Sequence, residues 1–371
     1  MNNIEIGLAK RAREAYTLDD IAIAPSRRTR DPHDVSLNWQ IDAYRFEHPI
    51  VAAPMDSVMS PASAATFGKL GGLAVLNLEG LWTRYEDPAK ALEAVRGAGE
   101  SQGVTVRHLQ ELYNQPVDPD LVTARIKELR DAGITVAGSL SPQKTVDLAE
   151  VVTSAGVDIF VIRGTTVSAE YVTSEGAPLN LKQFIYDLDV PVIVGGCATY
   201  RAALHLMRAG AAGVLVGFGG GATHTTHDVL GIRVPMASAV ADVAAARRDY
   251  LDESGGRYVS VIADGAMGTS GAIVKAIACG ADAVMVGSPL AKALDSPGQG
   301  VHWGMEAAHP DLPRGEVVSL GQVGSIEEVL FGPSSVSDGT MNLCGALRRS
   351  MATCGYLDLK EFQRVEVIVD I

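Results

Sequence analysis

Short runs of apolar, largely β-branched residues recur along this chain at 49–54, 73–77, 134–138, 158–162, 191–195, 212–216, 259–263 and 283–287, bounded by Gly, Pro or Asp. Stretches with apolar residues at helical spacing, such as 121–131, 200–209 and 270–278, lie between them. Strands that are apolar almost throughout must be covered on both faces, which means parallel pairing with helical crossovers. Eight such units predict an α/β fold, a closed (β/α)8 TIM barrel. An open doubly wound sheet is the alternative arrangement of the same units.

Four of the helical stretches end alike, in Asp131-Ala-Gly133, Ser154-Ala-Gly156, Arg208-Ala-Gly210 and Ala278-Cys-Gly280, where the glycine supplies a left-handed stop. Residues 1–48 and 295–371 fall outside the strand count, so an N-terminal extension and a C-terminal return segment are expected. The connection from the second to the third strand, 78–133, is the longest. It carries a helix-like 88–95 and a polar stretch around Gln115-Pro-Val-Asp-Pro119, but has no room for another domain. Residues 1–371 are therefore expected to form a single barrel domain.

Composition narrows the partners. A chain of 371 residues with 47% hydrophobic content can bury a large core. Its net charge of −13 is spread along the length, and the one basic cluster, Arg27-Arg28-Thr-Arg30, is too short to offset it as a nucleic-acid footprint. No uninterrupted apolar run reaches membrane-spanning length, and the start, Met1-Asn-Asn-Ile-Glu-Ile6, lacks a basic region leading into an apolar one. Cys197, Cys279, Cys344 and Cys354 form no CxxC pair and no regular disulfide spacing, which suits a reducing compartment. A soluble cytoplasmic protein with small-molecule partners is expected, without nucleic acid or membrane.

In such a barrel, ligands sit over the carboxyl ends of the strands, and the last two strand-end loops commonly hold a phosphate on backbone N–H groups. Here those loops read Ala263-Asp-Gly-Ala-Met-Gly268 and Val286-Gly-Ser-Pro-Leu290. The bland alternative makes Gly265, Gly268 and Gly287 ordinary turn residues. Asp264 would point into the mouth, where a carboxylate can accept two hydrogen bonds from a ribose diol. The sixth strand leads into Gly217-Phe-Gly-Gly-Gly-Ala-Thr-His-Thr-Thr-His227, a glycine-rich loop shaped like part of an active site. Its two histidines, His224 and His227, are too few to hold a metal on their own, and no metal is expected.

Several of these segments together resemble the IMP dehydrogenase/GMP reductase family. They are Tyr16-Thr-Leu-Asp-Asp-Ile-Ala-Ile-Ala-Pro25, Ala53-Pro-Met-Asp-Ser57, Leu70-Gly-Gly-Leu-Ala74, the loop 217–227, Ile262-Ala-Asp-Gly265, Ala281-Asp-Ala-Val-Met-Val-Gly-Ser288 and Asn342-Leu-Cys-Gly-Ala-Leu-Arg-Arg-Ser-Met351. They run in order over nearly the whole chain, which most resembles the short branch without a CBS module. The resemblance implies oxidation of IMP to XMP in purine (guanine) nucleotide metabolism, with NAD or NADP as cofactor and a monovalent cation as an accessory. It also implies a homotetramer or octamer. A cysteine thiolate attacks C2 of IMP in that chemistry, hydride passes to NAD, and water hydrolyses the covalent intermediate. The site residues carried over are Met55, Asp264, Gly265, Ala266, Gly287, Ser288, Gly304 and Met305 for the nucleotide, and Gly217, Gly219 and Arg163 on the cofactor side. His224 and Thr226 take the catalytic positions.

Departures from the pattern fall on the catalytic half. The family loop Gly-x-Gly-Pro-Gly-Ser-x-Cys-Thr-Thr is matched by Gly219, Gly221, Thr225 and Thr226, but Ala222 replaces the phosphate-binding Ser and His224 replaces the nucleophilic Cys. An imidazole is a poor substitute for a thiolate in a two-step covalent route, and His224 as a polar loop residue is the competing reading. Arg163 replaces a cofactor-contacting Asp, and Gly195-Gly196 stands where the family reads Gly-Asn. The base-contacting stretch Tyr-Arg-Gly-Met-Gly becomes His302-Trp-Gly-Met-Glu306, and the mobile flap with its Arg-Tyr pair is shortened or missing. Arg314 is the one arginine in that region. A purine mononucleotide (IMP, XMP or GMP) held without turnover, by a sensor or partner subunit, is the alternative function.

Overall fold

The computed structural model describes residues 3–97, 102–172, 179–218, 220–308 and 316–370. Eight parallel strands close into a barrel: β1 (Ile50–Ala52), β2 (Leu73–Asn77), β3 (Ala137–Leu140), β4 (Ile159–Arg163), β5 (Val192–Cys197), β6 (Gly213–Val216), β7 (Ser260–Asp264) and β8 (Ala283–Val286). Closure pairs Val284, Met285 and Val286 of β8 with Ile50, Val51 and Ala52 of β1. Nearly every strand residue is buried, as helix-covered parallel strands require. The (β/α)8 barrel read from the sequence is the fold, and the open sheet is not.

The helices follow local signals. Thr199 and Thr269 cap Tyr200–Arg208 and Ser270–Ala278 by accepting from the backbone N–H groups of Ala202 and Ala272, and Ser60 and Ser63 form a capping box at Pro61–Lys69. All four expected stop glycines, Gly133, Gly156, Gly210 and Gly280, have positive φ. Boundaries differ at β3, which begins at Ala137 and not at Ile134. The Val136 amide donates to the Asp158 carboxylate at 2.8 Å before the ladder starts, and Ile134 packs against Gly68 of the first barrel helix.

Both flanking segments attach to the barrel. A hairpin of Trp39–Ile41 and Tyr44–Phe46 plugs its amino-terminal end, with Ile41 1% exposed and packed against Gly213. Ile21–Ala24 pairs antiparallel with Glu366–Val369, so the N-terminal extension and the C-terminal return segment are sewn to one another. The long β2–β3 connection holds Ala89–Gly97, close to the helix expected there, and an unexpected helix, Gln102–Tyr113. The latter brings Leu109 and Tyr113 against Leu81, Leu92, Val95 and Trp303, a second hydrophobic cluster beside the barrel core.

One buried carboxylate ties these layers together. Asp282, 4% exposed at the foot of β8, accepts from the Val261 amide of β7 at 2.8 Å, from Arg247 of helix Met236–Glu253 at 2.6 Å and from Tyr258 at 2.7 Å. Lys360 and Gln363 reach it from the C-terminal segment. Burial opposes its charge, but Arg247 and Lys360 outweigh burial and hold its pKa below the ordinary carboxylate value.

Asp282→Asn leaves the buried Arg247 guanidinium facing a neutral amide and should cost about 3–5 kcal/mol at pH 7 in chemical denaturation. A carboxyl with a depressed folded pKa stabilises above its unfolded pKa and loses that contribution as pH falls through the folded one. The gap between wild type and variant should therefore be full at neutral pH and narrow as pH drops below about 3.9. A gap that widens on acidification would contradict this assignment.

Candidate functional site

Two cavities open where the strands end. The smaller, about 330 Å3, is lined by Met55 beyond β1, residues 220–224 beyond β6, Asp264 to Gly268 at the end of β7, and Gly287 and Ser288 beyond β8. The larger, about 600 Å3, lies over β2 to β4 and is lined among others by Asn77, Tyr113, Ser139, Ser141, Arg163 and Met305. A narrow neck, walled by Arg163, Gly217, His224, Asp264 and Glu306, lies between them.

Backbone geometry sets the neck. Gly217 has φ +118°, and a Cβ there would lie 2.4 Å from the Met236 methyl and 2.5 Å from the Asp264 carbonyl oxygen, so only glycine lets the loop leave β6 this close to β7. Ala266 adopts φ +60°, a conformation that costs an L-residue roughly 1–2 kcal/mol, and its amide donates to the Gly220 carbonyl at 3.0 Å. That bond holds the β7 loop against the glycine-rich loop.

Charged side chains cross the neck. Arg163 Nε donates to Asp264 Oδ2 at 3.0 Å, so the carboxylate expected to await a ribose is already engaged on one oxygen. Burial works against the Arg163 charge, but Asp264 and Glu306 outweigh it and raise the guanidinium pKa. His224 Nε2 lies 3.5 Å from Glu306 Oε1, while its Nδ1 is buried without a hydrogen-bond partner. The Thr223 hydroxyl, on a residue 4% exposed, likewise has no partner. His302 bonds Ser57 Oγ through Nδ1 at 2.8 Å, and burial, with His224 nearby, pushes its pKa down to about 3, so its imidazole is neutral.

A second polar group lies by the larger cavity. Trp303 Nε1 donates to the Tyr113 hydroxyl at 3.1 Å, and that hydroxyl donates to Asp56 Oδ2, which also accepts from the Leu81 amide at 2.8 Å. Burial raises the Asp56 pKa to about 6 against the pull of these bonds.

The expected residues distribute as follows. Met55, His224, Asp264, Gly265, Ala266, Gly287 and Ser288 line the smaller cavity together, so both phosphate-type loops face one space. Gly304 stands beside Met55 and Thr223. Met305, expected with the nucleotide group, lines the larger cavity instead, because the turn Met305–Ala307 carries it outward. Arg163 borders all three spaces and Gly217 lines the neck. Thr226, expected at a catalytic position, is fully buried as the first residue of helix Thr226–Leu230 and lines neither cavity. His227 is half exposed and turns to Asp228 at 3.0 Å, so it makes no pair with His224. Gly219 and Arg314 lie outside the described residues.

No thiolate is at hand. Cys197 is 1% exposed at the end of β5 and burial pushes its thiol up to about 12; burial likewise pushes Cys344 to about 12 and Cys279 to about 11. None of the four cysteines lines either cavity. Strand Val301–Trp303 returns as Val317–Ser319, leaving only residues 304–316 between them for any flap. Sequence reasoning missed the side chains of Glu306 and Thr223, which lie inside quoted motifs, and Tyr113, for which no motif gave a signal.

Known proteins resemble this chain over most of its length. A family model described as IMP dehydrogenase / GMP reductase domain matches residues 15–309. Uncharacterized oxidoreductases of Mycolicibacterium smegmatis and Mycobacterium tuberculosis are each 54% identical to the chain, covering 99% of it and 99% of themselves. An inosine-5'-monophosphate dehydrogenase of Methanocaldococcus jannaschii is 26% identical across 95% of the chain and 92% of its own length. A crystal structure of an IMP dehydrogenase/GMP reductase-like protein from Corynebacterium glutamicum superposes with a TM-score of 0.94 at 49% identity, covering 99% of this chain and 97% of that one. With the barrel, the paired strand-end loops and these relatives in agreement, the chain belongs to the IMP dehydrogenase/GMP reductase family.

Proposed function

We propose that this chain binds a purine mononucleotide (IMP, XMP or GMP) in the smaller cavity, as one barrel domain without a CBS module. The observation that carries this reading is the convergence of Asp264 to Gly268 and of Gly287 and Ser288 on one 330 Å3 space shared with Met55 and His224. The larger cavity suits NAD or NADP: it adjoins the first through the neck, and Ser139, Ser141, Lys144 and Thr165 offer polar groups to a dinucleotide. A nicotinamide ring held there would supply or accept hydride.

Oxidation of IMP to XMP with NAD is the family activity that the resemblance implies. Its covalent route needs a thiolate where His224 stands, and the four cysteines are elsewhere with raised or buried thiols. We therefore favour a member of the family that holds its nucleotide and does not proceed through the thioimidate.

Thermal unfolding tests the binding. IMP or GMP at a hundred times its dissociation constant should add roughly 2.7 kcal/mol of stability. Asp264→Ala should remove most of that shift, because it takes away the ribose acceptor and frees Arg163. No shift with any of IMP, XMP or GMP at millimolar concentration would refute the reading.

Rescue tests the chemistry. Wild-type protein with IMP and NAD or NADP, with and without a potassium salt, should form no more reduced cofactor than a blank. His224→Cys should be alkylated by a 6-halopurine nucleotide with loss of halide, with the adduct located on the new cysteine by mass spectrometry and blocked by excess IMP. Labelling spread over the native cysteines, or indifferent to IMP, would show the loop to be built for something else.

A further inference from the structure

We propose that the wall of the larger cavity carries a proton-operated latch, in which helix Gln102–Tyr113 is held against the barrel while the Asp56 carboxyl is neutral and loosened when it ionises. The device belongs to the fold and does not depend on what either cavity binds.

Asp56 is 2% exposed and lies where the connection leaving β2 meets that helix. Its two oxygens are held unequally. Oδ2 accepts from the Tyr113 hydroxyl and the Leu81 amide, whereas Oδ1 has no hydrogen-bond partner, and Gly80, having no side chain, closes over it. The buried Asn77 amide nitrogen favours the charge from close by but is likewise without a hydrogen-bond partner. Arg84 favours it only through space, because its N–H groups go to the carbonyls of Glu79, Tyr113 and Gln115. An ionised Asp56 in the closed arrangement is therefore a buried charge with no cation bonded to it, which is costly.

The same helix end forms the cavity wall. Tyr113 lines the larger cavity, and the Tyr85 hydroxyl donates to the Leu112 carbonyl at 3.0 Å, so the last turn is fastened by contacts gathered around Asp56. The other polar groups facing this spot hold their state. Burial and the Asp56 charge raise the Tyr113 pKa far enough that the phenol keeps its proton, Arg84 stays charged, and the Glu79 carboxylate turns away to the Ser141 amide. From strand Val301–Trp303 come the Trp303 indole, bonded to Tyr113, and His302, bonded to Ser57 and neutral. His108, on the helix itself, pairs with Glu111 at 3.8 Å.

The sign follows from burial. Asp56 has a pKa raised to about 6 when closed in, against an ordinary carboxylate value of about 3.9 once the helix lifts and water reaches it. A carboxyl raised in this way stabilises the closed state fully below its open-state pKa and loses that contribution as pH rises through the closed one. The latch is therefore tight in acid and loosest at and above neutral pH.

Hydrogen exchange of the full chain between pH 5 and pH 8.5, with each rate divided by the intrinsic rate of its amide, tests this. Protection of residues 81–85 and 109–113 should fall about tenfold from pH 5 to pH 7.5 and be level above that. At neutral pH these amides should also be less protected than those of β7, because the latch opens before the barrel does. Asp56→Asn keeps an acceptor for Tyr113 and Leu81 and has no charge to gain, so the fall should disappear, while any titration of His108 is common to both proteins. Tyr113→Phe removes a donor that favours the ionised form, so the fall should extend to higher pH; this variant carries the comparison if Asp56→Asn does not fold. A wild-type profile without the fall, the same fall in Asp56→Asn, an unmoved profile in Tyr113→Phe, or protection at 109–113 equal to that of β7 overturns the latch.

Discussion

The pairing of β8 back onto β1 governs everything placed at the mouth of this molecule. Once Val284 to Val286 hydrogen-bond to Ile50 to Ala52, all eight strands point one way around a closed ring, and their carboxyl ends arrive at one rim. Met55, Arg163, Asp264 and Gly287, spread over most of the sequence, become neighbours for that reason alone. The barrel interior is filled by strand side chains, so ligand space can exist only above this rim, in the loops.

What the loops do with that space differs from what the motifs imply. Beside the neck stand one ion pair, Arg163 on Asp264, and the Glu306 carboxylate 3.5 Å from the His224 ring, with none of the four cysteines among them. The Arg163 guanidinium and the Asp264 carboxylate already satisfy one another in part. An ion pair taken out of water is costly when one member is removed. Arg163 and Asp264 therefore constrain each other's replacement.

Much of this was legible in advance. Burial on both faces makes barrel strands read as apolar runs, and the helix caps and stops sit at chemically distinctive residues, so strands and crossovers fall where expected. The shift at β3 came from Asp158, whose side chain takes up the Val136 amide; a hydrogen bond between a side chain and a later-placed strand leaves no periodic trace. Helix Gln102–Tyr113 escaped because a polar stretch such as Arg107-His-Leu-Gln-Glu111 carries few apolar residues to count. In the site, loop glycines and Asp264 could be placed by spacing, but the burial of Thr226 and the outward turn of Met305 depend on where a chain reverses. Glu306 was visible as a departure from a family glycine, yet its approach to His224 exists only after folding.

The bond between Trp303 and Tyr113 gives the protein an optical reporter of its own. Trp303 is 1% exposed, its indole N–H is tied to the Tyr113 hydroxyl, and Tyr113 forms part of the wall of the larger cavity. Movement of that tyrosine on ligand entry alters the polarity felt by a buried indole, and with it the colour of the light it emits. Trp82 packs against the same cluster and emits with Trp303, whereas Trp39, stacked on Phe46 in the hairpin at the opposite end of the barrel, lies far from such changes.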